Sequence, residues 1–279
     1  MEKEAAPAAR LDAGDHRRLG RELGLFTLDI EVGKGLPLWL PHGTVVREEL
    51  EKLAKELEFK AGFERVATPH LARTELYRRS GHLPYYERDM YPLLEVLEDG
   101  EGGELKDEYA LRPMNCPHHH RVFAAEPRSY RDLPLRLAEY GQVYRWERSG
   151  ALTGLARVRG MCMNDGHIYC TTEQVASELH AVLDMYDEVY RLLGIDDARF
   201  RLSLRDASDV RGKYVDDERS WQWAEGVLRD ILVARGIDYE AGVGHAAFYG
   251  PKIDIQVRTL GGTEETLSTV QLDFVQPAR

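Results

Sequence analysis

The stretch that decides the fold is "EYGQVYRWERSGALTGLARVRGMCMNDGHIYCT", residues 139–171. It contains three short strand-like segments, EYGQVYRWERSG, RVRGMCM and HIYCT, and no segment with helical periodicity separates them. Strands this close along a chain are typical of antiparallel pairing. A further short strand is predicted at FRLSLRD, residues 200–206. We therefore predict an α+β fold, a mainly antiparallel β-sheet flanked by helices.

Helices are predicted where apolar residues recur every three or four positions. One covers residues 44–61 and follows Thr44, a potential N-cap. A second follows a capping box formed by Thr171 and Gln174 and ends at Gly194. A third is predicted at residues 218–235, ahead of Gly236. The last two are expected to face the core.

The C-terminal part of the sequence predicts a long antiparallel hairpin. Apolar and polar residues alternate over 253–257 and again over 270–274, and Gly261-Gly262 predicts the turn. There is no internal repeat, and no glycine-rich phosphate loop of the Walker or dinucleotide type is present.

Composition limits the class of protein. The chain has 279 residues, of which 43% are hydrophobic, enough to bury a sizeable core. Its 48 acidic and 37 basic residues give a net charge of −11, which argues against general affinity for nucleic acid but leaves room for a local basic cleft. No apolar run could cross a membrane and no secretory signal begins the sequence, so we expect a cytoplasmic protein. Residues 1–14 are expected to be a disordered lead-in, and residues 15–279 one domain.

A possible metal site is suggested by "PMNCPHHHR", residues 113–121, because thiolate and imidazole groups are preferred zinc ligands. The chain has three cysteines, an odd number of widely separated residues that argues against a disulfide framework. From the residues alone, metal binding and structural roles both stay open for this segment.

Three other polar clusters could carry chemistry. In "YRWERSGALTGLARVRG", arginines surround a glycine-containing loop and could clamp phosphates: Arg145, Arg148, Arg157 and Arg159. "MNDGHIYC" places Asp165 and His167 on one strand, and "AAFYGPKIDIQV" places Tyr249 and Lys252 at the start of the hairpin. Taken singly, each has an equally good structural explanation, since exposed arginines are usually solvated and strand histidines usually hydrogen-bonded.

Seven segments, taken in order, resemble the catalytic domain of the threonyl-tRNA synthetase family. They are DHRRLG, GFERVATP, RPMNCP, SYRDLPLRLAEYGQVYRWERSGALTGLARVRG, NDGHIYCT, AAFYGPKIDI and STVQLDF. The resemblance covers nearly everything from Asp15 to the end. It implies the class II synthetase fold and an ATP-dependent ligase that activates threonine as an adenylate and transfers it to tRNA. It also implies that the helix at 44–61, in a motif ending at Pro69, packs at a homodimer interface; packing within the domain is the alternative.

The resemblance also implies a role for each matching residue. Arg145 would be catalytic, on the α-phosphate of ATP bound with Mg²⁺; Glu147 would hold adenine and Arg157 the phosphates. Cys116 and His167 would bind Zn²⁺, which takes the amino and hydroxyl groups of threonine, whereas His118, His119 and His120 are not expected to be ligands. Asp165 would contact the substrate amino group, and the remaining substrate-binding residues would be Met114, Tyr249, Lys252 and Gln271.

The resemblance to the family is incomplete: some positions carry other residues, and some parts of the family's proteins lie outside this sequence. The family's third zinc ligand, its third motif, its editing module and its anticodon-binding domain lie outside this sequence, so His245 is a candidate substitute ligand. Departures from the family's residues occur at Trp146, Arg148, Met163, His245 and Thr266. A catalytic fragment and a shortened paralogue both fit. Two other functions therefore stay open: a noncatalytic module that binds an amino acid or regulates a synthetase, and an adenylating enzyme that loads a carrier other than tRNA.

Overall fold

The computed structural model describes residues 14–100, 103–209, 212–259 and 262–278. The predicted disordered segment, apart from Gly14, lies outside these ranges. The helices are α1 (His16–Glu22), α2 (Pro41–Lys60), α3 (Thr74–Arg79), α4 (His82–Tyr85), α5 (Cys116–Phe123), α6 (Val175–Leu193) and α7 (Glu218–Ala234). The strands are β1 (Phe26–Leu28), β2 (Pro37–Trp39), β3 (Glu64–Arg65), β4 (Leu71–Arg73), β5 (Leu94–Gly100), β6 (Gly103–Leu111), β7 (Leu135–Tyr144), β8 (Gly160–Tyr169), β9 (Arg199–Leu204), β10 (Tyr239–Val243), β11 (Lys252–Arg258) and β12 (Glu264–Gln271).

The stretch that decides the fold forms one antiparallel pair. β7 and β8 pair over their whole length, and β3 adds a short parallel edge to β7. The two strands predicted at RVRGMCM and HIYCT are one continuous strand, and β7 ends at Tyr144, well before the end of its predicted segment. The backbone leaves the ladder after Arg145 donates to the carbonyl of Arg159, and a 3₁₀ turn follows at Ser149–Ala151.

A second sheet has the order β10-β9-β11-β12 and carries the main apolar core. The β9/β11 and β11/β12 pairs are antiparallel, while β10 runs parallel to β9. Helices α6 and α7 pack against this sheet, and we call the resulting cluster the α6–α7 core. Its buried members are Val175, Leu179, Leu183, Leu202, Leu228, Ile231, Leu232 and Ile253.

The predicted hairpin is correct in its pairing and wrong in the extent of its second strand. Ile253 faces Val270 across the ladder, but β12 begins at Glu264 and ends at Gln271. The chain turns after Leu272 because the carboxylate of Asp273 accepts from the backbone amides of Val275 and Gln276. Leu272 and Phe274 therefore lie outside the strand.

The three predicted helices are present in the structure, but their first residues agree with the predictions to different degrees. α6 ends at Leu193, and Gly194 follows it with a left-handed φ of 67° that favours glycine at a helix C-terminus. The Thr171 amide donates to the Gln174 side chain, but α6 begins at Val175 with Gln174 as an N-cap that makes no side-chain bond, so the predicted capping box is wrong. α7 begins after Asp217, whose side chain caps Ser220. α2 begins at Pro41 and not after Thr44, because proline fits the first helical turn, where no amide partner is needed.

Two sheets and four helices, α1, α3, α4 and α5, are additional to those predicted. β1 pairs with β2, and β4, β6 and β5 form an antiparallel sheet. The PMNCPHHHR segment folds as α5, with proline in its first turn. Helices in the described ranges of the chain all lack the combination of length and apolar character that crossing a bilayer demands.

Candidate functional site

The candidate site lies where the start of α5 packs on one face of β7 and β8. Residues two apart on a strand share a face, so Met163, Asp165 and His167 lie on the same side of β8. Gly141 on β7 faces Met163 across the ladder, and a Cβ atom at Gly141 would lie 2.3 Å from the Asn115 side chain. The absence of a side chain at this glycine thus lets α5 approach the sheet closely.

Three side chains able to bind a metal converge at this contact. One ligand atom each from Cys116, Asp165 and His167 lies within 4.8 Å of the others. Cys116 and His167 are 51 positions apart in the sequence, so the helix-on-sheet contact alone brings them together. A thiol, an imidazole and a carboxylate match the donors of protein zinc sites. We call the surface formed by these three residues and Met163 the β7–β8 face.

Burial sets the protonation of these groups. It lowers the pKa of His167 to about 4, so the imidazole is neutral at neutral pH and has one nitrogen with a free lone pair. Burial, reinforced by the charges of Asp165 and Asp273, raises the pKa of the Cys116 thiol well above its usual range. A metal ion at this position would therefore displace the thiol proton.

Asp165 is oriented from the helix side. The Asn115 amide nitrogen, at the start of α5, donates to Asp165 Oδ2 at 3.1 Å, and Asn115 is fully buried. Asp165 also faces Glu139 across the β7–β8 ladder. The carboxylate is thereby directed toward the space beside Cys116.

A buried polar network lies beneath the β7–β8 face. Glu139 Oε2 lies 3.0 Å from His119 Nε2, and Glu139 Oε1 lies 3.2 Å from the Arg112 guanidinium. Thr68 donates to both carboxylate oxygens. Although burial by itself would raise the pKa of Glu139, the Thr68 and His119 hydrogen bonds and the Arg112 charge hold it below its usual range. The carboxylate is therefore ionised.

The three adjacent histidines of α5 have different surroundings. His119 Nδ1 lies 2.8 Å from Nδ1 of His167. His120 Nδ1 lies 2.9 Å from the Tyr169 hydroxyl, and His118 packs edge-on against the Tyr77 ring. None of the three joins the ligand group found among the described residues. His119 is nevertheless a residue that sequence reasoning missed, and its i, i+3 spacing from Cys116 on a helix is the signal that would have indicated it.

Arg145 lies on the same side of the sheet as the ligand group. Its Nε donates to the carbonyl of Pro113 at 3.1 Å, and its Nη2 lies 3.7 Å from Met163 Sδ. Met163 is two residues from Asp165 on the same face of β8. The predicted catalytic arginine and the predicted metal ligands thus border one surface.

The two other predicted ATP-binding residues are paired with each other. Arg157 Nε donates to Glu147 Oε2 at 3.0 Å in the loop between β7 and β8. Arg159 donates to the Glu147 carbonyl, and its guanidinium lies 4.1 Å from the centre of the Trp146 ring. A ligand that used both Glu147 and Arg157 would have to replace this ion pair.

The predicted substrate residues of the hairpin also meet. The Tyr249 hydroxyl donates to Gln271 Oε1 at 2.5 Å, and Gln271 is the cross-strand partner of Lys252. Lys252 is paired with the buried Asp254 at 2.9 Å. Burial, then the charges of Cys116, Tyr86, Asp273 and Asp165, raises the pKa of Tyr249 well above its usual range. Tyr249 is therefore a neutral phenol that donates its proton to Gln271.

Two residues considered from the sequence are placed less centrally. Met114 lies just before α5, between the Pro113 carbonyl that Arg145 contacts and the buried Asn115. His245 follows β10 and is exposed. Its suggested role as a substitute ligand stays a prediction, and the ligand group found among the described residues contains Asp165 beside Cys116 and His167.

The chain matches a known protein family over most of its length. Residues 98–279 match the family described as the tRNA synthetase class II core domain (G, H, P, S and T). This range contains α5, β7, β8 and the hairpin, and so every residue of the candidate site.

Individual proteins of this family are also similar to the chain in sequence and structure. The chain is 51% identical over 265 residues to threonine–tRNA ligase of Streptococcus gordonii, covering 95% of this chain and 40% of that protein. It resembles the crystal structure of the RNA binding domain of threonyl-tRNA synthetase from Cryptosporidium parvum Iowa II, with a TM-score of 0.84, 36% identity, and coverage of 95% of this chain and 62% of the other. Giardia lamblia prolyl-tRNA synthetase, at 18% identity and a TM-score of 0.65 over 91% of this chain, shares the fold. The chain spans about two fifths of the length of the curated relative.

Proposed function

Because the chain belongs to the class II tRNA synthetase family, we propose that it is the catalytic core of a threonine–tRNA ligase. Its substrates would be threonine, ATP with Mg²⁺, and tRNA, in the cytoplasm. The observation that carries the proposal is that Arg145 borders the surface on which Cys116, Asp165 and His167 converge. The 51% identity to a threonine–tRNA ligase favours this function over a noncatalytic module or a ligase for another carrier.

Arg145 would act at the nucleotide end of this surface. A threonine carboxylate oxygen attacks the α-phosphorus of ATP, pyrophosphate leaves, and the carboxylate becomes a mixed anhydride with AMP. Negative charge develops on the α-phosphate oxygens in this step, and a guanidinium held beside them stabilises it. Contacts with the Pro113 carbonyl and Met163 orient Arg145 before a substrate arrives. Glu147 would hold adenine and Arg157 the phosphates, each leaving its present partner.

Cys116 and His167 would hold Zn²⁺ at the amino-acid end. The thiol and imidazole fit this ion because they are its common ligands and lie close together without local sequence proximity. Zinc would supply a Lewis-acid site for the amino and hydroxyl groups of threonine. Asp165, oriented by Asn115, would accept from the substrate amino group, with Met114, Tyr249, Lys252 and Gln271 around it. Valine would be refused because it leaves the hydroxyl-binding position unpaired.

Threonine-dependent exchange of pyrophosphate into ATP tests this function. We expect the zinc-loaded 279-residue chain to catalyse exchange, and Arg145→Ala to lower the rate by about 10²–10³-fold, the usual effect of losing one group that stabilises transition-state charge. Arg235→Ala is the charge-matched control, since Arg235 pairs with Asp184 and Asp187 on α6. A folded, zinc-loaded chain that binds threonine without exchange would instead support a noncatalytic module.

A second copy of this chain would cover the outer face of α2. Apolar residues in the first half of this helix are exposed: Val45 by 59%, Val46 by 50% and Leu50 by 46%. The β1–β2 hairpin adds Leu28 and Trp39, which are also exposed. Exposed apolar residues concentrated in one place indicate an interface. Sedimentation equilibrium should show a dimer that Val46→Glu dissociates; a monomeric wild-type chain at micromolar concentration would contradict this.

A further inference from the structure

His167 can coordinate a metal only through a ring nitrogen that has a free lone pair. Its Nδ1 lies 2.8 Å from His119 Nδ1, and His119 Nε2 lies 3.0 Å from Glu139 Oε2. We infer that Glu139 and His119 are positioning residues that fix the tautomer of His167 and leave its Nε2 available to the metal. The inference rests on the proposed zinc site and adds the residues that prepare it.

The direction of each hydrogen bond follows from the carboxylate. An ionised Glu139 can only accept, so the proton between it and His119 belongs to Nε2 of His119. A neutral imidazole has one N–H, so His119 Nδ1 carries a lone pair and must accept from His167 Nδ1. His167 in turn has its only proton on Nδ1, and its Nε2 is unprotonated. The network therefore assigns both tautomers.

The Arg112 guanidinium holds Glu139 from its other side. Arg112 is 1% exposed and lies 3.2 Å from Glu139 Oε1, while His119 Nε2 lies 3.0 Å from Glu139 Oε2. The carboxylate is therefore a fixed acceptor for His119 Nε2, which leaves His119 Nδ1 to face His167.

The position of His119 on α5 makes the arrangement rigid. His119 is fully buried, and its ring meets the His167 ring edge-on with centroids 4.6 Å apart. Cys116 and His119 are three residues apart, on one face of the same helix. α5 therefore supplies both a metal ligand and the group that orients the other ligand. Groups that orient ligating histidines in this way typically change metal affinity by about 10–100-fold.

Three substitutions at His119 separate its two hydrogen bonds. Asn places an oxygen near the position of Nδ1 and can still accept from His167, whereas Gln places its amide near Nε2 and can only satisfy Glu139. We expect His119→Ala and His119→Gln to weaken zinc binding by about 10–100-fold and His119→Asn to retain most of the affinity. Competition with a chromophoric chelator measures the zinc affinity of the 279-residue chain. His118→Asn, the buried neighbour that does not contact His167, is the matched control and should bind zinc like the wild type.

Cobalt substitution distinguishes positioning from ligation. If His119 only orients His167, Co²⁺ bound to His119→Asn keeps the wild-type d–d bands and the thiolate charge-transfer band from Cys116. A changed d–d spectrum in that variant would make His119 a ligand and overturn the inference.

The zinc affinities separate failure of the inference from failure of the zinc site. Equal zinc affinity of the wild type, His119→Ala and His119→Gln would overturn the inference about His119 and leave the proposed zinc site supported. A wild-type chain without zinc affinity, unchanged by Cys116→Ala, would overturn the proposed zinc site itself. Thermal melting of each metal-free variant verifies folding.

Discussion

The α6–α7 core and the β7–β8 face are stabilised in opposite ways. The core buries aliphatic side chains, and each contributes roughly in proportion to the apolar area removed from water. Beneath the face, Arg112, Glu139 and His119 are at most 4% exposed, and each depends on the others for its hydrogen bonds. The core can therefore lose one apolar side chain and keep the stabilisation from the others, whereas the polar network is stable only when all its hydrogen-bond partners are present.

Removal of one member of the polar network should give the largest effect. Glu139→Ala leaves Arg112 and His119 buried without their acceptor, so we expect a loss of about 3–5 kcal/mol in the free energy of unfolding. The double variant Arg112→Met, Glu139→Leu leaves no unpaired charge and should recover part of this loss. Urea denaturation measures both. A cost below about 1 kcal/mol for Glu139→Ala would show that the network relaxes easily and would break the comparison.

Truncation in the α6–α7 core should lower stability and spare the site. Leu232 on α7 is fully buried, so Leu232→Ala should cost about 2–5 kcal/mol in the free energy of unfolding. Its neighbour Val233 is 66% exposed, and Val233→Ala should change stability by at most about 0.5 kcal/mol. Zinc affinity measured where both variants are folded should equal that of the wild type. A parallel loss of zinc affinity in Leu232→Ala would show that the two regions are coupled.

These two regions also differ in how far their residues could be predicted. α6, α7 and the pairing of β11 with β12 follow from apolar periodicity, because the same pattern that is visible in the sequence is the one that is buried. The starts and ends were less predictable: Pro41 begins α2, and the Asp273 turn ends β12. Both depend on local hydrogen bonding and not on hydrophobicity.

The β7–β8 face could be predicted only in part. The family resemblance alone pairs Cys116 with His167, since a separation of 51 positions in the sequence carries no information about their distance in space. The sequence does not single out His119, because neighbouring residues point in different directions. The segment is a helix, however, and helical spacing returns His119 to the side of Cys116. Glu139 and Arg112 gave no signal, because their importance comes from burial that only the tertiary structure creates.

Acid should destabilise the polar side of the molecule. Burial lowers the pKa of His118 to about 4, below the ordinary value of about 6.5. Between these values the unfolded chain binds a proton that the folded chain does not, so this contribution is full above pH of about 6.5 and is lost as pH falls. His118→Leu should remove a slope of up to about 1.4 kcal/mol per pH unit from the free energy of unfolding. Urea denaturation across this range measures the slope. An unchanged slope would place the acid sensitivity elsewhere, for example at His82, whose pKa burial also lowers to about 4.

Exposed ion pairs should matter least. Arg235 follows α7 and bridges Asp184 and Asp187 on α6, whose carboxylates are 68% and 58% exposed. Water and salt screen such pairs, so Arg235→Ala should cost about 0.2–1 kcal/mol, and less in high salt. Thermal melting at two salt concentrations tests this. A loss as large as that of Leu232→Ala would mean that the core depends on charge as well.

The alternation of side chains along β8 has a consequence for how this sequence can change length. An extra residue inserted between Cys162 and Met163 would reverse the alternation of side chains beyond the insertion. If the part of β8 before the insertion keeps its register, Asp165 and His167 move to the opposite face of the sheet. If the part after the insertion keeps its register, Met161 moves instead. The same insertion in the loop between Tyr144 and Gly160 would leave the strand's frame unchanged. Natural and laboratory variants should therefore accept insertions near Ser149–Ala151, away from Arg145, Glu147 and Arg157, and exclude them from the ten residues of β8.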